Sequence, residues 1–286
     1  MSYRRRASPL HAARGAAGGA YCVALVVCAL LFEHPLALGA VAAGAVGAAA
    51  AAGVGREVAR SARYTLPLAL VVAIVNALVV RDGLTVFARL GDVPPFGQVD
   101  LTVEALVYGL VLGGRVLVII LCCALFTTSV NPDELLRAFR RVSFRSTLTA
   151  ALATRLVPVL VRDARHMADA RACRPRPGPR VAVLRAVASS ALDRAVDVAA
   201  TLEVRGYGAA RGARRERTPW SRHDLAFMAA AGMLVGLGVA ARAAGVASFE
   251  AYPALHAPVG TGELLLAGAI VVVALAPFLD RRGIQP

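Results

Sequence analysis

The chain has 286 residues, 58% of them apolar and 17% charged, with a formal net charge of +14. Soluble domains are roughly 45–50% apolar and about 25% charged. A mean hydropathy of +0.63 with a pI near 11.0 therefore excludes a soluble nucleic-acid binder and predicts an all-α, polytopic helical membrane protein with basic segments outside the bilayer.

About 20 mostly apolar residues cross a bilayer as a helix. Six such runs occur in order: Ala16 to Phe32, Pro35 to Gly55, Tyr64 to Val80, Leu101 to Phe126, Leu225 to Ala244, and Thr261 to Leu279. The first follows Arg4, Arg5 and Arg6 as a signal peptide would, but it lacks an A-x-A cleavage site before a soluble domain and reads as a retained helix. The second is rich in Gly and Ala, which lets helices approach closely in lipid, so it is expected to pack against protein on more than one side. Four of the five cysteines (Cys22, Cys28, Cys122 and Cys123, but not Cys173) lie in apolar runs, where cysteine acts as a small hydrophobe. No C-x-x-C or H-E-x-x-H spacing occurs among the cysteines and the scattered His11, His34, His166, His223 and His256. The sequence predicts no catalytic residue, no metal site and no cofactor.

Arginines set the orientation. All 32 basic residues are arginine, a bias that a GC-rich genome accounts for. The absence of lysine excludes a G-x-x-x-x-G-K-[ST] phosphate loop and lysine Schiff-base chemistry. With the N-terminus in the cytoplasm, 28 of the 32 arginines fall on the inner side, and only Arg81 and Arg89 fall in outer loops. By the positive-inside rule both termini are cytoplasmic. The predicted organisation is a membrane block of four spans over residues 1–130, cytoplasmic helices over 131–222, and a block of two spans over 223–286.

The insertion carries 19 arginines against 8 acids and has a helical pattern throughout. Asn131 can cap a helix, Pro132 suits its first position, and Asp133 and Glu134 complement the positive end of its dipole. A long helix is predicted from Ser146 to about Cys173, with Pro158 kinking it. The run Pro175-Arg176-Pro177-Gly178-Pro179 ends it. A further helix starts near Arg180, with Val181, Leu184, Val187, Ala188, Ala191, Leu192, Ala195, Val198, Ala199 and Leu202 forming one continuous apolar face. Gly206 is placed to end it as a left-handed cap.

Both long helices thus finish at arginine, Arg171/Arg174 and Arg205. Such ends can be solvated tips that offset the dipole by about 0.3–1 kcal/mol. They can equally be interface grips, because guanidinium pairs bidentately with carboxylates.

The segment from Thr127 to Tyr207 resembles the transmembrane T component of energy-coupling factor (ECF) transporters, modular ABC-type importers of vitamins and transition-metal ions. One family signature, R-x-x-P-x-L-x-x-[DE] followed by A-x-x-A-R-G, is matched by Arg155, Pro158, Leu160 and Asp163, then by Ala170-Arg171-Ala172-Cys173-Arg174-Pro175. A second, R-A-x-[DE]-x-A-x-x-x-E-A-R-G-Y, is matched by Arg194, Ala195, Asp197, Ala199 and Glu203-Val204-Arg205-Gly206-Tyr207. Upstream, Thr127-Thr128-Ser129-Val130-Asn131-Pro132-Asp133-Glu134-Leu135 is similar to the family's T-T-x-P-x-x-L. The tips read Cys-Arg-Pro and Val-Arg-Gly where the family has Ala-Arg-Gly. Gap-free spacing gives the first arginine role to Arg174, and Ala170-Arg171-Ala172 competes for it. Proline after Arg174 cannot take the positive φ open to glycine, so the first tip must end differently.

The resemblance implies a non-catalytic subunit in the cell membrane. Two ATPase subunits would hydrolyse ATP, and the tips, with Cys173, Arg174, Val204, Arg205 and Gly206 at their ends, would seat in ATPase grooves. The apolar faces of the cytoplasmic helices would hold a separate substrate-binding membrane (S) subunit. No nucleic-acid partner is implied. The contrasting reading is a structural membrane protein whose basic domain binds polyanions; a membrane-embedded enzyme would need clustered acids or histidines that the spans lack. Independently of either, the run Arg211 to Arg217 can bind anionic headgroups. Arg115 stands inside the fourth span, where a lone charge costs about 2.5–3.5 kcal/mol or more. Its partner is expected to be Asn76 or a backbone carbonyl, or else a substrate. Glu33 and His34 are expected in a solvated loop, and Tyr64 and Trp220 at the membrane interfaces.

Overall fold

A computed structural model describes residues 6–80, 86–93, 97–139, 144–174, 179–206, 219–246 and 260–280. The fold is all-α and multi-pass. The chain divides into two compact units, Met1–Leu135 with Trp220–Pro286, and Leu136–Pro219.

The first unit opens with a short helix α1 (Pro9–Ala12), started by the Ser8 cap and by proline at its first position. Six apolar helices follow: α2 (Gly15–Leu31), α3 (Pro35–Ala51), α4 (Gly55–Val79), α5 (Val103–Ser129), and after the insertion α9 (Arg222–Ala243) and α10 (Thr261–Leu275). A 3-10 turn, Ala276–Phe278, extends α10. Four of the six are long and apolar enough to cross a membrane, while α2 and α3 have 17 residues each. At 1.5 Å per residue a 17-residue helix reaches about 25 Å, short of the ~30 Å hydrocarbon core.

Two helix boundaries, one buried residue and one connection differ from expectation. The helix α3 stops at Ala51, and α4 begins at Gly55 rather than at Tyr64. Arg56, Glu57, Arg60 and Arg63 interrupt the hydropathy but not the helix, because charge opposes lipid burial and leaves the backbone's preference intact. His34 is buried, not in a solvated loop: its Nδ1 accepts the Leu36 N–H at 3.3 Å and caps α3, while Glu33 is exposed. The third and fourth apolar helices, α4 and α5, are also joined by more than a plain loop: β1 (Val86–Val93) and β2 (Gly97–Thr102) pair as an antiparallel hairpin before α5, with Val93 opposite Gly97.

Packing in this unit depends on small residues. The glycine- and alanine-rich α3 lies against α10 and α5, as its composition predicts, and a Cβ added at Gly44 would come within 2.9 Å of Ala274 Cβ. Gly109 and Gly113 of α5 face Ala73 and Ala69 of α4 so closely that a Cβ at Gly109 would stand 2.6 Å from the Ala73 carbonyl oxygen. This small-x-x-x-small spacing brings two backbones together where lipid offers no hydrophobic drive for association. At the centre, Tyr21, Phe227 and Phe278 meet edge to face, with Tyr21 and Phe227 at a centroid distance of 5.3 Å, and the Tyr21 hydroxyl donates to the Ala274 carbonyl at 2.8 Å.

The helix α2 is held at both ends by charge. At its start, the Arg14 N–H donates to Asp224 Oδ1 at 2.7 Å and the Gly15 N–H donates to Glu134 Oε2 at 2.8 Å. Asp224, 1% exposed, also closes the capping box of α9 with Ser221 and lies 3.2 Å from Arg14 Nε. Glu134 thus complements the dipole of α2 in addition to standing in the first turn of its own helix. At the far end, Arg115 of α5 donates to the Phe32 carbonyl at 3.0 Å and Arg242 of α9 to the Leu31 carbonyl at 3.2 Å. The intramembrane Arg115 therefore bonds a backbone carbonyl, as expected of an internal partner, and cations meet the negative end of the helix dipole.

Near the N-terminus, Arg6 bonds both the Gly53 carbonyl and the Glu57 carboxylate. His11 is buried, with Nδ1 2.7 Å from Ser8 Oγ. Burial pushes its pKa below the ordinary 6.5, the Arg6 charge acts the same way, and a hydrogen bond with the Thr128 backbone partly opposes them. A depressed folded-state pKa gives stability that is full above the unfolded value and is lost as pH falls through the folded one. The melting temperature of the detergent-solubilised chain should thus fall from pH 7.5 to pH 5.5. His11→Gln should flatten that slope; an unchanged slope would remove His11 as its source.

Candidate functional site

The second unit is built on α7 (Phe144–Ala172) and α8 (Arg180–Val204), reached from the first through α6 (Pro132–Phe139). Asn131 Oδ1 accepts the Asp133 N–H at 3.0 Å, the capping bond its position predicts. The helix α7 runs through Pro158 without interruption of the helical backbone, and α8 starts at Arg180, where Pro179 has an extended ψ of 150°.

The two long helices pack on each other. Shielded positions recur at helical spacing, with Leu156, Leu160, Ala164 and Met167 on α7 and Val187, Ala191, Val198 and Leu202 on α8. Arg194 donates to Asp163 at 3.0 Å between these stripes, so two residues of the family signatures form one ion pair. Its side chains are 35% and 26% exposed, which leaves it worth about 1 kcal/mol or less in screened solvent.

The apolar face predicted for α8 is not one surface. Its shielded half lies on the stripe just described. Val181, Leu184 and Leu192 are 62%, 69% and 71% exposed, and Val157 and Val161 of α7 are exposed too. A single 100° apolar stripe suffices for a helix covered on one side; the excess width is what remains open.

Both tips are helix ends carrying arginine, and they differ in backbone. At the second, the Arg205 N–H bonds back to Thr201 O at 3.2 Å, the Gly206 N–H bonds to Glu203 O at 2.8 Å, and Gly206 has φ 72°. This is the left-handed ending that glycine permits and that the sequence predicts. Val204, Arg205 and Gly206 are all exposed. At the first tip, the Cys173 N–H bonds to Asp169 O at 3.1 Å and the Arg174 N–H to Arg171 O at 3.2 Å. By this pattern Cys173, not Arg174, occupies the backbone place of Arg205, and Arg174 occupies that of Gly206. Ala170, Cys173 and Arg174 are exposed, whereas Arg171 is half-buried and already engaged. Tyr207, residues 175–178 and the basic run Arg211 to Arg217 lie outside the described residues.

Among the described residues, no three His, Cys, Asp or Glu side chains come together as a metal site would require. Cys22, Cys28 and Cys122 are buried in helix packing, and Cys123 and Cys173 are exposed.

The chain thus combines a multi-pass helical membrane unit with an inserted pair of long, arginine-tipped helices. The family model for CbiQ, cobalt transport protein, matches residues 7–219, a stretch that includes both tips. The chain belongs to this family, the family of ECF transporter T components. Members act in transporter complexes with ATPases and substrate-binding components. No curated protein matches the chain.

Proposed function

We propose that the chain is the coupling subunit of an ECF-type ABC importer, carrying the closing and opening of two ATPase subunits to a separate substrate-binding membrane subunit for vitamin or transition-metal-ion uptake. In this reading residues 131–222 form the cytoplasmic coupling region, flanked by membrane blocks over 1–130 and 223–286, with both termini cytoplasmic. The chain itself performs no chemistry.

The observation that carries the reading is Arg205: an exposed arginine at the end of a 25-residue helix, followed by a glycine in the left-handed conformation. A guanidinium so presented is free to form a bidentate pair with a partner's carboxylate. Arg174 takes the same role at the first tip, favoured over Arg171 by its exposure. The uncovered Val181, Leu184 and Leu192 supply an apolar surface for the substrate-binding subunit, and a packed helix pair moves as a rod between the two contacts.

Affinity purification of the full chain in mild detergent at 0.5 M salt tests the reading. Recovery of two ATPase chains and a small membrane protein is the expected result. A chain that loses every partner at that salt, and binds nucleic acid or anionic vesicles at low salt, would instead be the polyanion-binding protein.

A further inference from the structure

The inserted unit leaves the membrane unit after Leu135 and returns at Trp220. Each crossing stands beside an acid that bonds the first turn of α2: Glu134, one residue before the exit, accepts the Gly15 N–H, and Asp224, four residues after the return, accepts the neighbouring Arg14 N–H. The same two chain segments hold the other end of α2, through Arg115 of α5 and Arg242 of α9. Acid and arginine are 19 residues apart on the α5–α6 segment and 18 apart on α9, matching the 17 residues of α2. Each flanking segment therefore meets the positive end of the α2 dipole with a carboxylate and the negative end with a guanidinium, the favourable arrangement at both termini. A slide of either segment along α2 breaks a bond at each end.

We infer that α2 is the fixed strut to which both roots of the inserted unit are pinned, and that Glu134 is a positioning residue for coupling. Asp224 shares the anchor, but it also caps α9; Glu134 is the cleaner test. The consequence for transport rests on the coupling role proposed above, whereas the anchoring is a property of the chain alone. If the roots were free to shift along α2, displacement of the tips would be absorbed at the junction and would not reach the membrane helices.

The test uses the full chain with Cys173→Ser and Ser189→Cys, leaving Cys123 on α5 and residue 189 on α8 as exposed sites for nitroxide labels. Double electron–electron resonance then reads the distance distribution between them. Glu134→Ala should widen that distribution at least twofold. Glu134→Gln, whose amide oxygen still accepts the Gly15 N–H, should keep the parent width. An unchanged width in the alanine variant, or equal widening in both, overturns the anchoring. If the alanine variant does not fold, Glu134→Asp, one methylene short of Gly15, is read in its place with the same outcomes. In the complex with ATPase subunits, the parent should shift its distance between nucleotide-free and ATP–vanadate states, and the alanine variant should lose the shift while still recovering the ATPases. A retained shift overturns the positioning role. A parent that recovers no ATPase overturns the coupling reading instead, and the width comparison in the chain alone still decides the anchor.

Discussion

Arg205→Ala should weaken association with the ATPase subunits at least tenfold. Truncating one partner of a buried, hydrogen-bonded charge pair costs about 2–5 kcal/mol, because the remaining carboxylate is left desolvated, and about 1.4 kcal/mol already amounts to tenfold. Arg205 is exposed in the chain alone, so the variant should fold and melt like the parent and separate a lost contact from a lost structure. Titration of purified ATPase onto detergent-solubilised chain measures the change. Arg205→Lys should fall between the two, keeping the charge but not the planar fork. Arg174→Ala should weaken binding more than Arg171→Ala, since only Arg174 is open to a partner. Unchanged affinity in Arg205→Ala would remove the tip from the interface.

The second large effect is structural. Gly113→Val should abolish monodisperse protein in detergent, and Gly113→Ala should lower stability by about 1–3 kcal/mol, the usual range for overpacking. A Cβ at Gly113 is directed at the Ala69 carbonyl, a backbone atom that cannot rotate aside. Any relief must separate α4 from α5, the most extensively packed helix pair in the membrane unit. Gly232→Ala in α9, where nothing lies within 4 Å of the added carbon, should leave the melting temperature within a degree or two of the parent. Equal melting of the two alanine variants would show that the close approach does not matter.

What could be read beforehand depended on how local its cause is. The start of α8 at Arg180 and its left-handed finish at Gly206 follow from proline and glycine, whose backbone limits act within one residue. The apolar helices were legible because hydropathy reports burial in lipid. For the same reason it misplaced the start of α4, where arginines stand on a helix that hydropathy does not score. The pinning of α2 depends on Glu134 and Asp224, about 120 and 210 residues away in sequence, and no spacing rule joins them to Gly15 and Arg14. His34 read as a loop residue because its cap is made by its own buried ring. At the candidate site, Arg205 was legible from the helix end that presents it. The difference in exposure between Arg171 and Arg174 was not, since it turns on which side chain α7's shielded stripe covers.

The two guanidiniums that finish α2 also decide which ions that end of the helix tolerates. Arg115 and Arg242 donate to the adjacent Phe32 and Leu31 carbonyls, placing fixed positive charge at one helix end. A divalent cation threading between α2, α5 and α9 would meet that repulsion. The space between these three helices at that end is thus unfavourable for a cation and favourable for an anionic group.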